Sequence, residues 1–167
     1  MTGGYYHNSA NTNMRIEGAG SYLEDATIHV DMNNERVADA SKAVRGLRWE
    51  NNKSTASSGG RVTNCDFIHT SQIAAGVSAA ITVEYDTAGL TVENSRFRFD
   101  DDTSPVAIVE VPDVTFENCS FTGASSSDVV QGDTNTRVLD CCNGMSGGFP
   151  NCTVRGLTTT NCTRATK

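Results

Sequence analysis

Carboxylates are the residues best spaced to do chemistry. Glu17, Glu50, Glu84 and Glu110 each close a short stretch of mixed polarity: MRIE at 14–17, LRWE at 47–50, ITVE at 81–84 and AIVE at 107–110. Laid side by side as strands, the four stretches place their glutamates in one outward column. Two carboxyl groups ~5 Å apart suit glycosidic cleavage with retention of configuration, and ~6.5–9.5 Å suits inversion. Neighbouring strands lie ~4.8 Å apart, so Glu84 and Glu110 would stand near the shorter distance. They are the catalytic candidates if the chain is an enzyme. Any stacked glutamate pair would pass the same test, and a solvated acidic face is the competing reading. Glu24, Glu93 and Glu117 form a partial second column. Like charges stacked directly opposite one another are destabilising. Arg48 or Arg96, bound cations or high salt must offset them.

Asp100, Asp101 and Asp102 form a second acidic cluster. Three adjacent carboxylates can share a Ca²⁺ ion, which makes them the candidate metal ligands; a solvated turn is the alternative. Cys65 and His69 stand four apart, but no second pair completes a zinc spacing. The six cysteines, Cys65, Cys119, Cys141, Cys142, Cys152 and Cys162, contain no CxxC. Most read as buried small thiols. A Cys119–Cys141 bridge between adjacent strands is sterically open. The C-terminal crowding of Cys141, Cys142, Cys152 and Cys162 has room for one disulfide. His7, His29 and His69 lie outside any Ser or Cys nucleophile arrangement.

What would position these groups is a repeat. RVTNCDF at 61–67, LTVENSRF at 90–97 and VTFENCSF at 114–121 are its clearest copies. YLEDATI at 22–28, RVLDCCN at 137–143 and LTTTNCTR at 157–164 are weaker ones. They align Asp25, Asn64, Asn94, Asn118, Asp140 and Asn161, residues that tolerate left-handed φ and hydrogen-bond local backbone. Around that bend, three columns alternate inward. Leu23, Val62, Val92, Phe116, Val138 and Thr159 lie two before it, and Ala26, Cys65, Ser95, Cys119, Cys141 and Cys162 one after. Ile28, Phe67, Phe97, Phe121, Asn143 and Arg164 lie three after it. The Glu-ended strands precede the copies and point Ile16, Trp49, Val83, Val109 and Val130 inward. A repeat of this length, built from short strands, is the mark of a solenoid. The strand pattern lapses around Asn34 to Ala43, where a helix is expected.

With its Asn column and its inward aliphatic and aromatic stacks, the chain resembles the pectate-lyase-like right-handed β-helix superfamily over roughly residues 13 to 164. The resemblance implies an all-β chain: a right-handed parallel β-helix of about six rungs over 13–167, with a docking or capping segment at 1–12. That superfamily includes polysaccharide lyases, pectin hydrolases, tailspikes and other virion proteins, so the fold alone does not choose a function. The paired aspartates of the hydrolases come with Gly-His-Gly and Arg-Ile-Lys motifs, and the lyases carry an Arg-Pro context; none of these occurs here.

At 167 residues, one domain is the natural count. The formal charge of −7 argues against a nucleic-acid groove or an anionic membrane surface. No run approaches the ~18 apolar residues that span a bilayer, and no secretory signal is visible at the N-terminus. The 10 Arg to 3 Lys, 12 Asp and 20 Thr look like proteins of halophilic archaea and their viruses. The expectation is therefore a non-enzymatic structural or attachment protein on a virion or extracellular surface. Its expected partners are its own copies in a homotrimer, other virion proteins and a cell-surface glycan. The alternative is an extracellular carbohydrate-active enzyme, a lyase or a glycoside hydrolase.

Overall fold

The strands follow from the alternation. The computed structural model describes residues 1–7, 12–17, 20–31, 45–51, 57–70, 79–85, 87–100, 105–123, 128–160 and 162. Among them every regular element is a strand, and the strands form three parallel sheets. The first sheet holds β2 (Thr12–Glu17), β5 (Arg45–Asn51), β8 (Ala79–Tyr85), β11 (Ala107–Val109) and β14 (Val130–Gln131). The second holds β3 (Tyr22–Glu24), β6 (Ser57–Thr63), β9 (Thr87–Glu93), β12 (Thr115–Glu117), β15 (Thr136–Leu139) and β17 (Cys152–Arg155). The third holds β1 (Tyr5–His7), β4 (Thr27–Asp31), β7 (Asp66–Thr70), β10 (Arg96–Asp100), β13 (Ser120–Thr122) and β16 (Cys142–Asn143). From β2 to β16 the chain visits first, second and third sheet in fixed rotation, strands pair with their counterparts one circuit on, and β17 then returns to the second sheet beside β15.

The bend between second and third sheets is the Asn column. Asp25, Asn64, Asn94, Asn118 and Asp140 all have φ between 49° and 61°, a region costly for most side chains and tolerated by Asn and Asp. Their side chains also link circuits: Asn64 Nδ2 donates to Asp25 Oδ1 at 2.9 Å and Asn118 Nδ2 to Asn94 Oδ1 at 2.6 Å. Gly3 and Gly156 extend the column at its two ends, each with positive φ. A second such column turns the chain from first to second sheet. It comprises Gly20, Gly59, Gly89, Asp113, Asn135 and Asn151, with φ from 58° to 78°. Here too the Asx members bond across circuits, Asn135 Nδ2 donating to Asp113 Oδ1 at 3.1 Å.

The inward columns fill the space between the sheets. Phe67, Phe97 and Phe121 stack, with ring centroids 4.7 and 5.1 Å apart. A second stack sits beside it, His69 on Phe99 at 4.2 Å, so His69 is a core residue. The small column has a chemical rule as well as a size rule. Cys65, Ser95, Cys119 and Cys141 each donate to the carbonyl two residues back, those of Thr63, Glu93, Glu117 and Leu139. A thiol, though the weaker donor, can take the place of a hydroxyl because each is a small group with one proton to give. Burial pushes the Cys119 thiol pKa well up, which keeps that proton in place.

Trp49 is fully buried and lies directly under Gly60. A Cβ at Gly60 would stand 2.5 Å from Trp49 Cζ2. Gly60→Ala is therefore expected to lower stability by ~1–3 kcal/mol through overpacking. Chemical denaturation of the two proteins checks it; an unchanged midpoint would mean that the indole moves freely.

Two expectations about register are corrected. The sixth bend of the column falls at Gly156: β17 brings Val154 level with Val138 and Gly156 level with Asp140. Thr159 and Cys162 therefore leave the columns assigned to them, and Leu157 follows Cys141 against the core. Cys162 instead forms a disulfide with Cys142. Val130 pairs with Ala107 and not Val109, so it continues the column of Leu47 and Ile81. The segment from Asn34 to Ala43, where a helix was expected, lies outside the described residues, as do Asn161 and Arg164. At the other end, Met1–His7 is laid over the first circuit: Tyr5–His7 pairs with β4, and Thr2 bridges Glu24.

Candidate functional site

The outer face of the first sheet carries the glutamate column. In each strand the inward residues are apolar (Leu47 and Trp49, then Ile81 and Val83), so the residues between them face out. Register places Glu17, Glu50 and Glu84 in one row and Arg15, Arg48 and Thr82 in the next. Glu110 follows β11 on the same side, and its amide donates to Val83 O at 2.9 Å.

The middle of this column is not a solvated acidic surface. The Glu50 side chain has no exposed area and that of Glu84 only 8%. Arginines lie between the carboxylates. Arg15 pairs with Glu17 at 2.5 Å and with Glu50. Arg48 pairs with Glu50 at 2.7 Å and with Glu84 at 2.9 Å, and Arg45 reaches Glu84 at 3.0 Å. Three cations thus meet three anions. Burial alone lowers the Arg48 pKa, but Glu84 and then Glu50 more than offset that, and the net direction is up. The guanidinium is held charged, as a buried carboxylate pair requires. Arg48 also donates to Tyr85 Oη at 3.3 Å and lies 5.5 Å from its ring centroid, a cation–π geometry. Tyr85 has φ of 58°, an outlier for a bulky residue.

The anticipated neutralisers divide. Arg48 serves the column, whereas Arg96 sits on the third sheet and pairs with Asp66 at 2.9 Å. Arg15, Arg45 and Tyr85 were missed from sequence. Arg15 was findable, because Arg-x-Glu recurs in MRIE and LRWE and two residues apart is one face of a strand. Tyr85 carries no such signal. Glu84 is committed to two arginines, while Glu110 is exposed. The structure therefore brings the catalytic candidates to one face in unlike environments.

Of the calcium candidates, Asp100 ends β10, and Asp101 and Asp102 lie outside the described residues. Among the described residues no three His, Cys, Asp or Glu gather as metal ligands. Cys119 and Cys141 remain thiols, the Cys119 amide donating to Cys141 Sγ at 3.3 Å. Burial raises the half-buried Cys152 thiol to about 11, so at neutral pH it is a poor nucleophile. No helix among the described residues is long and apolar enough to cross a membrane. No family model matches the chain, and no curated protein and no solved structure matches it.

Proposed function

We propose that the chain is a right-handed parallel β-helix of about six rungs that acts as a non-enzymatic structural or attachment protein on a virion surface. One observation carries the non-enzymatic part: of the two carboxylates best spaced for glycosidic chemistry, Glu84 is tied into an arginine lattice and only Glu110 stands outside it. A general acid must be free to reach the glycosidic oxygen. Glu84 is instead held by Arg45 at 3.0 Å and by Arg48 at 2.9 Å. The hand rests on the strong preference of parallel crossovers for the right-handed sense. The Cys142–Cys162 disulfide favours an oxidising location such as a virion or cell surface. Few lysines among many Asp and Thr favour a halophilic archaeal virus as the setting. Assembly as a homotrimer through the N-terminal end is supported by edge strands β1 and β2 there and by the exposed Met1 and Tyr5.

Two measurements test this reading. Light scattering should report three copies of the 17.8 kDa chain, and mass spectrometry should find the chain in purified particles. Incubation with a panel of polysaccharides should yield neither new reducing ends nor unsaturated sugars. Turnover that disappears in Glu84→Gln or Glu110→Gln would establish the carbohydrate-active enzyme instead.

A further inference from the structure

A hollow opens on the outer face of the second sheet, away from the glutamate lattice. Its volume is about 460 Å³, within the usual range for small-ligand sites of roughly 300–1,000 Å³. Strand register builds it. Tyr22 is level with Arg61, and Glu24 with Thr63, while Leu23 and Val62 between them point into the core. One circuit on, Glu93 is level with Thr63 and reaches diagonally to Arg61, whose Nε donates to Glu93 Oε1 at 2.7 Å. At the turn, Gly20 and Gly59 carry positive φ, and a Cβ on either would meet nothing within 4 Å. The missing side chains leave the space open beside Tyr22, which is 53% exposed.

We infer that this hollow binds a neutral oligosaccharide chain. A half-exposed phenol ring beside open space offers its electron-rich face to the C–H edge of a pyranose. Glu24, Thr63 and Arg61 flank it with acceptors and donors at strand spacing, the complement of adjacent sugar hydroxyls. The charge balance selects against acidic sugars. Among the described lining residues the only cation is Arg61; Glu93 holds it, and Glu24 adds a second carboxylate. A uronate or sialate would meet the Glu24 and Glu93 carboxylates, with Arg61 already held by Glu93. The inference deepens the attachment reading by naming the ligand class, and rests on that reading only for its biological role.

The test is a titration of the whole protein, followed by amide NMR, with cellotetraose, maltotetraose and mannotetraose, and with tetragalacturonate as the acidic probe. At least one neutral tetrasaccharide should bind saturably, with shifts centred on Tyr22, Arg61 and Thr63. Tyr22→Ala should weaken it about tenfold. Gly59→Asn should abolish binding by filling the hollow. Asn suits the fold there, because the same column already holds Asn135 and Asn151 at positive φ. Failure of all three neutral sugars, binding indifferent to both variants, or binding of tetragalacturonate alone would overturn the inference. Adhesion of the wild-type chain to particles or cells without sugar binding would sink this site and leave the attachment reading standing. Sugar binding accompanied by Glu84-dependent turnover would do the reverse.

Discussion

Phe97→Ala is expected to lower the unfolding free energy by ~3–5 kcal/mol. Phe97 has no exposed surface and is the middle ring of three, with Phe67 at 4.7 Å on one side and Phe121 at 5.1 Å on the other. Phe116 also meets it edge-on at 6.3 Å. Removing the ring forfeits the transfer free energy of the side chain and empties a space that the flanking rings cannot fill. Each is fixed to its own strand, and the strand spacing is set by backbone hydrogen bonds. Phe121→Ala should cost less, because Phe149, only partly buried, lies beyond it at 5.9 Å and has room to shift. Urea denaturation of both variants gives the comparison. Equal and small losses would mean that the rings do not form one continuous stack.

Arg48→Ala is expected to cost about 2–4 kcal/mol, somewhat below the ~3–5 kcal/mol typical of breaking a buried ion pair. Arg48 stands between two carboxylates that water hardly reaches. Without it Glu50 keeps Arg15 and Glu84 keeps Arg45, which limits the loss. Arg48→Lys should recover only part, since an ammonium cannot present two directed donors to two carboxylates and stack on Tyr85 at once. A buried ion pair is weak evidence for stability as such. Its effect here is on register: a slip of one residue would turn Glu50 and Arg48 into the core and Trp49 out. Denaturation midpoints of the three proteins check the order wild type, Lys, Ala.

Much of this architecture was legible because one physical demand repeats. Left-handed φ at the bend selects Asn and Asp, and a column of them at Asp25, Asn64, Asn94, Asn118 and Asp140 fixes which neighbours face inward. The same demand explains the failure at the last circuit. Glycine meets it without an amide, so Gly156 is invisible to an alignment on Asn. Asn161–Cys162 meanwhile imitates the Asn–Cys pairs at 64–65 and 118–119. The second bend escaped for a related reason, since its column mixes Gly20, Gly59 and Gly89 with Asp113, Asn135 and Asn151 across turns of unequal length. At the glutamate face, composition suggested repulsion because it counts charges and not their order. The arginines that cancel it lie two residues before Glu17 and Glu50, on the same side of the strand. The hollow at Tyr22 has no local signature: Tyr22, Arg61 and Glu93 come from three circuits and meet only through register.

The lattice is tested most directly by Glu84→Gln at low ionic strength. On a repelling acidic face, removing one charge would raise the melting temperature, and added salt would erase the gain. Glu84 instead neutralises Arg45 and Arg48 in a nearly dry site. The account predicts that Glu84→Gln melts lower than wild type, by the equivalent of ~1–3 kcal/mol, at low and at high salt alike. A variant that melts higher at low salt would contradict it and return the column to solvent.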